Sequence, residues 1–260
     1  MTQSTTQVSI PARLPERISP CPIVEAVFEI RFVTTEPWST LPGLLYAAIR
    51  ERYAEKRDLP LAQVPDALRA ADPRLALQPL IRFEGQVPFA VLCGPRVIAL
   101  ATQPNRYPGW MGVETELRWL VSKVLAARVI HEPERLGVRY IDFFELDLFS
   151  ELRLGLVIDG SVLREGEMNV AATFGQWSPF TVRLSVCNNA TIKLPDGRVL
   201  RGSALDLDVG VGALDFDISE GTLLTRFREA HQINKQAFFG LLKPESLAAM
   251  NPEYSDDTHS

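Results

Sequence analysis

The amino-acid sequence predicts an α+β protein. It should have an N-terminal β-α-β-β-α-β half in ferredoxin-like order, then an antiparallel β-meander with a long C-terminal helix. Three observations predict this. The stretch "CPIVEAVFEIRF" (residues 21–32) alternates with period two, so that Ala26, Phe28, Ile30 and Phe32 fall on one face and Glu25, Val27, Glu29 and Arg31 on the other. In "GWMGVETELRWLVSKVLAARV", Val113, Leu117, Leu120, Val121, Val124 and Leu125 recur at helical spacing. Beyond residue 150 the pattern changes to short strand candidates separated by turn signals, followed by one last helical stretch.

The elements follow in order. Residues 1–20 read as a flexible arm, because Pro11, Pro15 and Pro20 interrupt any helix. A first strand covers about residues 23–33. "STLPGLLYAAIRERYAEKR" reads as a helix, with cap-type Ser39 and Thr40 ahead of Leu41, Leu44, Leu45, Ala48 and Ile49. The proline-spaced "DLPLAQVPDALRAADPRLA" connects it to two apolar runs, "LALQPLIRFEG" and "PFAVLCGPRVIALAT". The turn signal "EGQVP" makes these a hairpin, and Pro79 and Pro95 suggest edge positions or bulges. The helix at 109–129 and the strand "ERLGVRYIDFFELDLF" complete the half spanning residues 21–149.

Residues 150–250 supply the meander and its helix. The strand candidates are "LRLGLVID", "MNVAATFG", "FTVRLSVCNNATIKL", "RVLRGSALDLDVGV" and "ALDFDI", with "WSP" and "PDG" as turns. "EGTLLTRFREAHQINKQAFFGLL" then carries Leu223, Phe227, Ala230, Ala237 and Leu241 near one stripe and stops before Pro244. Residues 251–260 read as a frayed, acidic tail.

Composition narrows the functional classes. With 260 residues, 46% hydrophobic and 23% charged, the chain can bury a proper core. A net charge of −5 argues against a dedicated nucleic-acid binder, although a local basic groove is compatible with it. Cys21, Cys93 and Cys187 are dispersed, with neither paired zinc-ligand spacing nor a disulfide framework, which suits a reducing compartment. The polar N-terminal stretch and the lack of any run of membrane-spanning length lead us to expect a cytoplasmic protein without membrane contact.

Several residues could carry chemistry or recognition. Glu25, Glu29 and Arg31 share a strand face, Arg139 lies on a later strand, and Asp206 and Asp208 alternate on another. If these faces meet, the guanidinium and carboxylate groups could hold an anionic or polar ligand. Cross-strand ion pairing on a solvated sheet face outweighs that reading. Asp206 and Asp208, with Asp215 and Asp217, offer oxygens to a hard cation, yet no second motif supplies a partner, so no metal and no cofactor is expected. His231 stands in a confident helix, whereas His131 lies near a helix end and His259 in the tail. It has no recognisable nucleophile partner, and a hydrogen-bonded, part-buried role outweighs acid–base work. "GVGALDFD" and "GWMGVE" are not phosphate loops. Arg106, Tyr107, Trp110 and Met111 in "QPNRYPGWMG" combine residue types that make interface hot spots, and Trp177 in "FGQWSPF" joins them as a candidate contact.

Three stretches together resemble an uncharacterised, sporadically distributed bacterial protein family of about this length. They are "CPIVEAVFEIRF", "ERLGVRYIDFFEL" and "LDLDVGVGALDFDISEGTLLTRFREAHQINKQAFFGLLKPE". Arg135, Leu136, Gly137, Arg139 and Tyr140 match the middle motif, Asp206 and Asp208 the late strand, and His231 with Phe238 or Phe239 the helix. After "RYI" the family pattern more often has Asn, and this chain has Asp142. The resemblance implies no particular activity. The patchy distribution of the family implies an accessory system, linked to mobile elements or defence.

Two functional readings follow. The first is a non-catalytic binding or accessory protein whose partner is another protein or a peptide. The alternative is an enzyme acting on a phosphate-containing or nucleotide substrate, with Arg31 and Arg139 as anion contacts and Asp206, Asp208 or His231 as acid–base or metal groups. The absence of any catalytic constellation in the sequence favours the first. A meander edge also offers a route to a homodimer.

Overall fold

A computed structural model describes residues 8–154, 156–159, 161–163, 166–193, 197–213 and 217–255. The first elements are β1 (Ile23–Val33), α1 (Leu41–Ile49), β2 (Glu55–Asp58), α2 (Asp66–Ala71), α3 (Pro73–Ala76) and β3 (Ile81–Glu84). Next come β4 (Phe89–Gly94), β5 (Val97–Thr102), α4 (Trp110–Ala126) and β6 (Glu132–Phe144). The rest are β7 (Leu156–Ile158), β8 (Ser161–Leu163), β9 (Asn169–Phe174), β10 (Thr181–Lys193), β11 (Val199–Gly212), α5 (Glu220–Leu241) and α6 (Pro244–Ala249). The fold is mixed α+β with antiparallel strands and a long C-terminal helix, as the sequence predicts. No helix among the described residues is long and apolar enough to cross a membrane.

Between β1 and β6 the chain carries more strands than the expected order allows. The helix read as continuing to residue 57 stops at Ile49, its last buried residue, where the N–H groups of Arg52 and Tyr53 both turn back to the Ile49 carbonyl. Glu55–Asp58 then leaves as β2, pairing antiparallel with β3 in the register Arg57↔Arg82. All four of its residues are exposed, so no hydrophobic period could have revealed it. The run "PFAVLCGPRVIALAT" is two strands, because Pro95 and Arg96 turn the chain between β4 and β5 rather than marking a bulge. The expected strand over "ALDFDI" includes residues 214–216, and the "PDG" turn includes 195–196; those positions lie outside the described residues.

The structure divides into two compact units. One, here the terminal unit, comprises Met1–Val24, Tyr140–Val209 and His231–Ser260; the other, the central unit, comprises Glu25–Arg139 and Gly210–Ala230.

In the central unit the strands run in the order β2-β3-β4-β5-β1-β6. Every β1 residue pointing to the apolar side is buried: Ala26, Phe28, Ile30 and Phe32. They face Ile98 and Leu100 of β5, the Leu117, Leu120, Val121 and Val124 stripe of α4, and Phe227 from the first part of α5. The Phe28 ring meets Trp110 at 6.1 Å and Phe227 edge-on at 6.3 Å between centroids. One polar network is built into the α1–α4 packing. Tyr53 donates to Glu116 Oε1 at 2.9 Å and Arg52 Nη1 to Oε2 at 2.8 Å, while the Arg52 guanidinium also lies 4.3 Å over the Trp119 ring.

In the terminal unit the order is β6-β11-β10-β9, with β7 and β8 forming a separate hairpin. Val182, Leu184 and Val186 of β10 and Leu205, Leu207 and Val209 of β11 alternate into its core. The second part of α5 contributes Ala237, Phe238 and Leu241 to the same core and is fixed to the sheet by Asn234. That side chain is buried, and its Nδ2 donates to the Leu207 carbonyl at 2.9 Å. The N–H groups of Glu16 and Arg17 both donate to the Glu253 carbonyl, at 2.7 and 3.4 Å, and Ser19 donates to Met250.

Glu116 gives a direct test of the central packing. Replacing it with Ala leaves the Tyr53 hydroxyl buried without its acceptor and should cost about 1–3 kcal/mol. The measurement is the urea midpoint at constant m; an unchanged midpoint would show that the network contributes nothing.

Candidate functional site

The polar face of β1 is where the sequence places its first candidates. Glu29 meets two guanidinium groups there. Its Oε1 accepts from Arg135 Nη1 of β6 and lies 2.9 Å from Arg31 Nε, an ion pair whose Nε is buried and outside hydrogen-bond alignment. All three side chains are largely buried, with 18% of Glu29, 25% of Arg31 and 17% of Arg135 exposed. The local sequence explains why Arg135 can lie so flat. A Cβ at Gly137, two residues along the same strand face, would come within 2.3 Å of the guanidinium, and so would one at Gly210 on β11. The "RLG" of the middle motif and a glycine of "VGVG" therefore form the bed for one arginine. Arg139 is exposed and Glu25 half-buried farther along these strands.

A second polar group occupies the terminal unit. Tyr140 and His231 Nδ1 are 2.9 Å apart. Burial, with the neighbouring Lys235 ammonium second, holds His231 down at about 3, so the ring is neutral at ordinary pH. A neutral ring leaves one nitrogen as acceptor, which suits the Tyr140 hydroxyl as donor. A base that weak is poorly matched to proton transfer near neutrality. Asp142 is 2% exposed, and burial followed by the charge of Asp206 pushes its carboxyl up to about 8. The sequence reading did not use Asp142 as a candidate. The signal that could have found it is a carboxylate inside the otherwise apolar and aromatic run "YIDFF" of β6.

The candidates thus divide by unit. Glu25, Glu29, Arg31 and Arg139 belong to the central unit, and Asp206, Asp208 and His231 to the terminal unit. Asp217, considered as a metal ligand, accepts from the N–H of Ser219, the residue that caps α5 through its own Oγ, and its hydrogen bonds with Ser219 and Thr222 hold its carboxyl below the usual range. Asp215 and His259 lie outside the described residues. Among the described residues no three His, Cys, Asp or Glu side chains are arranged to hold a metal ion.

The aromatic candidates are anchored differently. Trp110 rests on Phe28, and Gly109 before it takes φ +82, a left-handed conformation that favours glycine. This leaves Arg106 exposed, Tyr107 half-buried, and Met111 83% exposed. Trp177, in the terminal unit, is half-buried and donates to Gln236 Oε1 at 2.9 Å. No protein-family model matches the chain, and no curated protein and no solved structure is significantly similar to it.

Two outcomes are expected. Gly210→Val drives a side chain into the Arg135 guanidinium, so the Glu29 pairing is displaced and the thermal midpoint falls by the equivalent of about 1–3 kcal/mol. A Val variant as stable as wild type would mean that the glycine bed is not required. Asp142 gives the pH test. Below its ordinary value of 3.8 both folded and unfolded chains hold the proton, and above about 8 both have lost it. Between these limits only the folded chain holds it, so stability falls as pH rises, by up to about 1.4 kcal/mol per pH unit. His231 acts oppositely: it is neutral when folded and protonated when unfolded between about 3 and 6.5, so its effect ends above that range. Urea midpoints of wild type and Asp142→Asn should therefore diverge from pH 6.5 to 8, with the variant the more stable. Parallel curves would refute the assignment.

Proposed function

We propose that the protein is a non-catalytic binding protein that recognises another protein or a peptide, working in the cytoplasm as part of a bacterial accessory system. The observation that carries this reading is the segment 106–111, the turn that enters α4 together with the helix's first two residues. There the half-buried Trp110 packs against the core Phe28 ring, while Met111, 83% exposed, and the exposed Arg106 project from the same short segment. A preformed loop loses little freedom on binding. Methionine adapts to irregular apolar pockets, and arginine anchors carboxylates at interfaces. The partner surface that fits it offers an apolar pocket with an acidic group beside it.

Further support comes from the polar candidates. Glu29 already serves Arg31 and Arg135, and His231 is neutral and hydrogen-bonded to Tyr140. Their charges and lone pairs are committed to the fold. The resemblance of the three sequence motifs adds the accessory setting, linked to mobile elements or defence, and the reading calls for no cofactor and no metal.

The experiment is affinity capture from the native host with tagged wild type and with Arg106→Glu/Met111→Glu at native expression levels. A specific partner held by wild type and lost by the variant, with an unchanged thermal midpoint, is the expected result. A phosphatase or nuclease activity abolished by Asp206→Asn would overturn the proposal, as would equal capture by both proteins.

A further inference from the structure

We propose that the outer edge of β9 is a self-pairing surface, through which two copies of this chain join β9 to β9, antiparallel, about a two-fold axis at Ala171. In the terminal unit β9 pairs with β10 on one side, in the register Phe174↔Val182 to Asn169↔Cys187, and among the described residues no strand lies on the other. The ladder phase is fixed by the Asn188 N–H, which donates to the Met168 carbonyl at 3.2 Å. Met168, Val170, Ala172 and Phe174 therefore aim their main-chain groups at β10. Asn169, Ala171 and Thr173 aim theirs outward, and these same three residues are exposed.

The composition of the edge selects a second copy as its occupant. "NVAATF" carries no charge, whereas β2, the outer strand of the central unit, reads "EKRD" and is exposed at every position. Charged outer strands resist edge pairing, and β9 lacks that protection. Two-fold pairing at Ala171 sets Ala171 against itself and Asn169 against Thr173 of the second copy. No like charges meet, the axis residue is small, and all three outward residues fall in hydrogen-bonded positions, giving about six N–H···O bonds. On the other strand face the half-exposed Val170 and Ala172 of each copy would cover one another, with Phe174 over Met168 of the second copy.

The test uses the full chain in sedimentation equilibrium over the micromolar range. Wild type is expected at twice the chain mass. Asn169→Lys/Thr173→Lys places Lys against Lys in the proposed register and should weaken the dimer at least about 100-fold. Asn169→Glu/Thr173→Glu should do the same. Mixing these two variants should restore twice the chain mass, because Lys then meets Glu. Ala171→Pro removes one outward N–H without touching the β10 ladder and should also give the single mass, with an unchanged circular dichroism spectrum. Wild type at the single mass throughout would overturn the proposal, as would a Lys/Lys variant that stays dimeric. A mixture that remains monomeric would overturn the register at Ala171.

Discussion

On the outer face of β1 a single carboxylate stands between two guanidinium groups, and much of the neighbouring backbone is shaped to let it do so. Glu29 reaches Arg31 along its own strand and Arg135 across to β6. Two largely buried cations sharing one anion need tight geometry, since removing charges from water is costly unless the pairing is close. Gly137 and Gly210 provide that closeness by letting the Arg135 guanidinium settle onto the sheet itself. Strand residues with period-two alternation have their apolar side assigned by the core, so the arrangement of the polar side falls to a few such contacts.

Ion pairs and neutral hydrogen bonds both organise the polar groups of the two units. Across the polar faces of the central unit, ions meet ions. Arg82 and Arg57 converge on Glu84 at 2.7 and 3.3 Å, and Arg96 pairs with Glu134. In the terminal unit several of the buried polar contacts are neutral. Asn234 serves a strand carbonyl, Ser203 accepts from the Leu148 N–H while donating to the Leu146 carbonyl, and Tyr140 meets an uncharged His231. Neutral hydrogen bonds suit a core because they satisfy the backbone without bringing a full charge out of water.

Whether an element has one buried face decides what could be read from the sequence. The alternation of β1 and the stripes of α4 and α5 are direct consequences of one buried face, and the sequence displays them openly. β2 has no buried face, so its position depends on pairing with β3, which a local pattern does not carry. Glu116 stands at helical spacing from Val113 and Leu120 and reads as a polar interruption of the stripe. Only the three-dimensional placement of Arg52 and Tyr53 shows why a carboxylate belongs there. The stretch 103–111 is legible as a contact candidate from residue types, but which of its residues are half-buried and which project is not. Trp110, half-buried, packs one side of its ring against Phe28.

Asp142 and His231 show how burial sets the charge state of polar groups on this fold. Each is a titratable side chain that the protein keeps uncharged across the middle of the pH range, and by the same cause acting on opposite signs: burial lifts the acid and depresses the base. His231 gains a hydroxyl partner for its neutral form, so its uncharged state is also its best-bonded one. Asp142 has its neutral form favoured first by burial and then by the nearby Asp206 carboxylate, which penalises a second negative charge. An amide occupies nearly the same volume and has no proton to lose. An Asn at position 142 would therefore meet the same packing demand without the pH dependence. The acid at position 142 brings with it what an amide lacks, a proton that burial retains and that rising pH removes, which couples stability to proton concentration.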